Sequence, residues 1–323
     1  MTSPDHTMFH NRYSIKCPAL QWFAIGSFCL LIGCRESPPQ ARENSEEDLL
    51  DILTVNEPLR YMGSRLTDSS WAKVTFPAPP ETVDPSTWTP DGPTIQRYQK
   101  ADMILLNGAH YAQWIEQAAL PITRLFNTTE AYKERWIQRS SVTTHQHGPE
   151  GEHEHGIYAP MTWLDFQLAA DQATSIAKIL SDRWPDHAAK IQAQLVSLRA
   201  DLLQLHHSML LIATKLDGIP LLASHPVYEY LAKAYRLDLR AMHWEPEELP
   251  PPDQWEALDA LLKQHPSHVM LWEDTPIQSI TQQLEERGVQ VVVFRPQGGP
   301  TQHKDFLEVM QDNLKSLENI QAR

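Results

Sequence analysis

The sequence predicts an α/β protein of two parallel-sheet lobes joined by one long helix. Short apolar runs of strand length alternate with amphipathic helical segments after residue 50, and the same alternation returns after residue 217. Between them lies one helical pattern of roughly 30 residues, about 45 Å long. Strand-helix-strand alternation implies parallel sheets with helices on their faces, because parallel neighbours need a crossover between them.

From Leu50 to Val55 the residues read as a buried strand, and Pro58 to Leu66 opens a helix with proline in its first turn. Lys73 to Phe76 is the next strand. It runs into a proline-rich stretch, Pro77 to Pro93, too long for a simple connector and therefore a candidate binding loop. A helix from Thr94 to Lys100 and the strand Met103 to Leu106, closed by Asn107-Gly108, complete the first rhythm. Apolar residues three and four apart predict helices from Leu164 to Arg183 and, after Trp184-Pro185, from His187 to Leu216. The second rhythm runs through a strand at Pro220 to Ala223, helices at Val227 to Tyr235 and Asp253 to Gln264, and a strand at His268 to Trp272. A helix at Ile277 to Arg287, a strand at Val289 to Phe294 and a helix at His303 to Asn319 close the chain. The expected division is 51–185 for the first lobe, 186–216 for the linking helix and 217–323 for the second lobe.

The N-terminus predicts export. Arg12 and Lys16 precede an apolar stretch of about 14 residues ending at Leu31-Ile32-Gly33-Cys34, the layout of a secretory signal over residues 1–34. A bilayer-spanning helix needs roughly 20 apolar residues, so a permanent span is the weaker reading. Residues 35–50 have the Glu, Ser and Pro content of a flexible tether. All three cysteines, Cys17, Cys29 and Cys34, fall in the signal segment, so neither a disulfide framework nor a cysteine metal cluster is available. The formal charge of −14 becomes −15 when Arg12, Lys16 and Asp5 are removed, a net loss of one positive charge. Binding to nucleic acid through a basic surface is thereby disfavoured.

Four histidines, His145, His147, His153 and His155, fall within a polar stretch, 144–156, that has no apolar periodicity. The stretch is expected to be a flexible loop in which neutral imidazoles gather divalent metal adaptably rather than in a closed tetrahedral site. A merely solvated loop is the alternative. Enzyme signatures are absent from the sequence: it has no Gly-x-Ser-x-Gly elbow, no glycine-rich phosphate loop and no His-Glu-x-x-His helix.

An ordered set of motifs resembles the zinc and manganese solute-binding proteins of ABC transporters. Asp84-Pro85-Ser86-Thr87-Trp88-Thr89-Pro90 is similar to that family's Asp-Pro-His-x-aromatic-x-Pro loop. Ala159-Pro160-Met161-Thr162-Trp163-Leu164-Asp165 resembles its Asp-Pro-His-x-Trp-Leu-Asp segment, and Ser224-His225 with Tyr228 and Tyr230 its Ser-His-x-x-Phe-x-Tyr segment. Glu273 stands at the family's strand-end glutamate. The resemblance implies two lobes on a rigid helix, a monomer, a divalent ion such as zinc as cargo, an ABC permease as partner and acylation of Cys34 in a Leu-x-Gly-Cys lipobox. That combination predicts a membrane-anchored lipoprotein of the cell envelope.

The departures fall on the ligand positions that the resemblance implies. Ser86 and Met161 stand where the family has histidines, Arg295 stands where it has an aspartate, and only His225 is retained. Three repairs are open: His153 or His155 joins His225 from the loop, Met161 with His225 favours a softer ion, or Arg295 holds an anion in place of metal. A fourth outcome is a diverged metal buffer or surface interaction protein without cleft metal. His110 and His243 lack a partner at ligand spacing and read as surface or core residues.

Overall fold

The computed structural model describes residues 49–79, 83–139, 144–146, 152–154, 157–301 and 303–321. The expected signal segment with Cys34, nearly all of the tether, and His147 and His155 lie outside the described residues.

The first lobe runs β1 (Leu50–Thr54), α1 (Glu57–Leu66), β2 (Ala72–Thr75), α2 (Gly92–Lys100), β3 (Met103–Leu106), α3 (Trp114–Gln117) and β4 (Leu125–Asn127). Its sheet has the order β2-β1-β3-β4, all parallel, with Ile52 opposite both Val74 and Met103, and Ile104 opposite Leu125. Ile52, Leu53, Met103, Ile104 and Leu105 are fully buried, which is why these runs are continuously apolar rather than alternating. Asn56 ends β1 and starts α1 by accepting a hydrogen bond from the Leu59 N–H, while proline occupies the first turn, where no N–H is needed.

The stretch expected as a flexible loop contains a short antiparallel hairpin, β5 (Thr144–Gln146) with β6 (Glu152–Glu154), whose register sets His145 opposite His153. Pairing satisfies backbone groups that a lone extended segment leaves to water. The segment is rooted by an isolated bridge between Gln138 and Tyr158 and by the Arg139 N–H bonding the Ile157 carbonyl.

Helix α4 (Phe166–Arg183) starts at Asp165, whose carboxylate accepts from the Gln167 and Leu168 N–H groups. After a single 3₁₀ turn at Pro185–His187, α5 (Ala188–Leu216) runs for 29 residues. Its buried residues, Ile191, Leu195, Leu198, Leu202, Leu205, Met209, Ile212 and Leu216, recur four and three apart and form one apolar stripe. That stripe packs on α1 and α4 of the first lobe and on the last helix of the second.

The second lobe comprises β7 (Leu221–Ala223), α6 (Glu229–Tyr235), β8 (Leu239–Ala241), α7 (Pro252–Gln264), β9 (Val269–Trp272), α8 (Gln278–Glu286), β10 (Gln290–Val293) and α9 (Phe306–Glu318). Its strands are parallel in the order β10-β9-β7-β8. Asp305 and Glu308 form a reciprocal capping box at the start of α9. The sequence reading missed β4 and β8. Both are three-residue edge strands, and the exposed Arg240 and Ala241 leave β8 without an apolar signature.

Candidate functional site

In open parallel sheets the crevice for a ligand opens beyond the carboxyl ends of the strands, where the strand order reverses. In the first lobe that point lies between β1 and β3. There Asn56 and Asn107, each following its strand, are linked by a 3.3 Å hydrogen bond, and Asn107 is further bonded to Thr162, Gln172 and the Pro160 carbonyl. The first lobe thus fills its own crevice with a neutral amide network. In the second lobe the reversal lies between β7 and β9, which release Ser224-His225 and Glu273 side by side.

His225 is 7% exposed. Its Nδ1 lies 3.2 Å from Glu273 Oε1 and its Nε2 3.8 Å from Glu245 Oε1. A carboxylate on one ring nitrogen fixes the orientation of the imidazole and aims the other nitrogen, the arrangement common behind metal-bound histidine. Backbone bonds from the Met242 N–H to Ala223 and from the Trp244 N–H to Ser224 extend the β7–β8 pairing past the end of β8, and this brings His243 and Glu245 to the site. The His243 ring stands edge-on to His225 with centroids 6.0 Å apart.

The electrostatics favour a cation. Burial acts to lower the His225 pKa, but the Glu273 hydrogen bond and the charges of Glu273, Glu245 and Asp84 outweigh it, so the net direction is upward. Glu245 is pushed up to about 7 by burial, with His225 opposing the rise and Glu273 and Asp84 adding to it. Asp84 is crowded by the cleft, which raises its carboxyl, although the side chain keeps contact with water and two Ser86 hydrogen bonds oppose the rise. Between the lobes lies a cavity of about 260 Å³ whose walls include Asp84 and Met161 from the first lobe and Glu245, Glu273, Asp274, Arg295 and Gln297 from the second.

Ser86, expected at a ligand position, hydrogen-bonds Asp84 through both its N–H and its Oγ, at 2.8 and 2.6 Å. Met161 is 3% exposed, at the entrance to a 3₁₀ turn beside Trp163. Arg295 forms a 2.6 Å ion pair with Asp274, so its charge is already matched. With that pair in place and the carboxylates of Asp84, Glu245, Glu247 and Glu273 along the cavity wall, the anion reading is not favoured. Among the described residues, no three His, Cys, Asp or Glu side chains converge closely enough to enclose an ion in this conformation. Sequence reasoning missed Glu245 and set His243 aside. The sequence carried no local signal for either, since the short strand they follow, β8, has no apolar signature.

Residues 54–320 match the family model described as the periplasmic component A of the zinc-uptake complex. No protein among those with curated functions is detectably similar in sequence. Among solved structures, the metal-dependent lipoprotein YcdH from Bacillus subtilis aligns with a TM-score of 0.70 at 19% identity, covering 84% of this chain and 98% of YcdH. The Zn(II)-bound ZnuA-like domain of Streptococcus pneumoniae AdcA gives 0.70 at 18% identity, with coverages of 84% and 98%; against the longer AdcA chain the coverage is 57%. The laminin-binding protein of Streptococcus agalactiae, described as a bifunctional adhesin and metal transporter, gives 0.65 at 19% identity, covering 84% of this chain and 98% of that one. At these identities the likeness establishes the fold.

Proposed function

Because the chain belongs to the family of periplasmic zinc-uptake component A proteins, we propose that it captures a divalent metal ion, zinc or a close relative, in the interlobe cleft and presents it to an ABC permease. The coarser statement rests on the family itself: the chain is a substrate-binding component of the metal class of ABC importers, and such components are not enzymes. The observation that carries the finer reading is His225, held at Nδ1 by Glu273 and turned by Nε2 toward Glu245, two glutamates that both line an acidic cavity between the lobes. Imidazole and carboxylate oxygen both suit a borderline divalent cation.

Three further elements belong to the same proposal. Cys34 carries the lipid that holds the protein at the membrane. His145, His147, His153 and His155 gather metal, a reading supported by their clustering in one polar stretch. The protein works as a monomer. A metal buffer without a cleft site gains no support from the cleft's charge.

Calorimetric titration of zinc into the metal-free full chain tests the proposal, beside a deletion of 144–156 and His225→Ala. The expected result is one tight site lost with His225→Ala and kept after the deletion. Binding that is weak, multi-site and abolished by the deletion alone would overturn it.

A further inference from the structure

Resting on the reading of the cleft as a cation site, we infer that Glu245, a residue outside the ligand positions of the family pattern, is a direct ligand and that the cargo is a partly hydrated divalent cation. The ion sits between His225 Nε2 and Glu245 Oε1, and Asp84 and Gln297 accept hydrogen bonds from the water it retains.

The first support is the geometry of the pair. Two donors each about 2.1 Å from one ion at a tetrahedral angle lie about 3.4 Å apart. His225 Nε2 and Glu245 Oε1 are 3.8 Å apart, a few tenths of an ångström from that span. Glu273 is occupied on the other ring nitrogen at 3.2 Å, so its role is to aim the imidazole rather than to bind. The family's closing carboxylate is replaced by Arg295, which is paired with Asp274. Glu245 brings the negative charge back into the cleft from a different strand end.

The second support is independent of the acids. Gln297 lines the same cavity and is 5% exposed, and its Oε1 is buried without a hydrogen-bond donor among the described residues. Its amide nitrogen is committed to the Gly299 carbonyl at 3.2 Å. Gln297 holds a left-handed backbone, φ 62°, pinned on one side by Trp163 Nε1 donating to the Pro296 carbonyl and on the other by the Glu57 N–H donating to the Gly298 carbonyl. Strain of this kind persists where the surroundings enforce it and clusters at ligand sites. A buried amide oxygen lacking a donor is costly to leave so, and a metal-bound water would supply the missing donor.

The third support is size. Glu245, Asp84 and Gln297 line the cavity of about 260 Å³, while His225 adjoins it through Glu245 and Glu273 rather than lining it; a water takes about 30 Å³, so the cavity has room for several waters beside an ion held at Glu245. His225 and Glu245 supply two of the donors, and water supplies the rest of the coordination sphere.

The test uses Mn²⁺ as probe on the metal-free full chain in which His145, His147, His153 and His155 are changed to Gln, so that only the cleft is read. Pulsed electron paramagnetic resonance counts the coordinated nitrogens, and water-proton relaxation dispersion counts the retained waters. The expected result is a single imidazole nitrogen and at least about two waters, as befits an ion that keeps part of its shell. Glu273→Gln should weaken Mn²⁺ by about ten- to a hundredfold with the nitrogen signal kept, the usual effect of losing an orienting partner. Glu245→Gln should weaken it by more than about a hundredfold, beyond that range, while leaving the thermal midpoint of the metal-free protein unchanged or raised. If Mn²⁺ or zinc binds through His225 with no retained water, or if Glu245→Gln binds as tightly as the parent, the inference fails and the cleft-metal reading stands. If neither ion binds in the cleft at all, both fall.

Discussion

Replacing Arg139 by Met should destabilise the protein by about 3 kcal/mol, the low end for breaking a buried ion pair while leaving its partner in place. The Arg139 guanidinium donates from Nε to Glu229 Oε1 at 2.7 Å and from Nη2 to the Pro226 carbonyl at 2.8 Å. The two side chains are only 13% and 23% exposed, which justifies the buried rather than the surface range but not its upper end. Met keeps the aliphatic packing and removes the charge, so Glu229 and the Pro226 carbonyl lose their donor. For a chain of this size 1 kcal/mol moves the midpoint by about 2–4 °C, giving a fall of roughly 6–12 °C by calorimetry. The loss should deepen with pH. Burial raises the Glu229 carboxyl above its ordinary value, and Arg139 opposes the rise. A carboxyl raised in the folded state binds protons better folded than unfolded, so stability falls as pH climbs from the ordinary carboxylate range through the folded value. Without Arg139 the folded value rises further, so the deficit at pH 8 should exceed that at pH 5. Removing both partners, Arg139→Met with Glu229→Leu, should recover most of the loss. A midpoint shift under about 2 °C, a deficit independent of pH, or a double variant as unstable as the single one would refute the reasoning.

Glu245→Gln should stabilise the metal-free protein at pH 8 and be nearly silent at pH 4. The carboxyl is raised to about 7, so its ionisation opposes folding increasingly as pH rises from the ordinary carboxylate range to that value; paired thermal melts at the two pH values read the difference. Gly108→Ala should be severe, because φ is +77° and the added Cβ would stand 2.1 Å from Thr129 Oγ1, whereas Gly92→Ala meets nothing within 4 Å and should cost nothing. Urea unfolding of the two variants should separate them by more than about 3 kcal/mol, the sum of backbone strain and overpacking.

Most of the fold was legible because it is written in local periodicity. The strand Met103–Leu106, the helix α1 with its proline, and the long α5 announce themselves through runs, caps and a four-three apolar repeat that need no knowledge of distant residues. Edge strands β4 and β8 escaped because three residues carry too little pattern. The same limit governed the site. His225 and Glu273 could be named from the chain because they fall in the ordered motifs that carry the family resemblance. Glu245 could not, since it follows the one strand of its sheet that has no apolar signature, and only backbone bonding to Ala223 and Ser224 carries it to the cleft.

The sequence by itself therefore determined most of the order of elements, the two-lobed α/β architecture and the family. Only the tertiary structure decided what the residues at the motif positions do: Ser86 bonds Asp84, Arg295 is matched to Asp274, and Glu273 holds His225 by the nitrogen away from Glu245. The last two depend on which strands lie side by side. The order β10-β9-β7-β8 brings together residues 20 to 70 positions apart, a distance over which local patterning carries no information about contact.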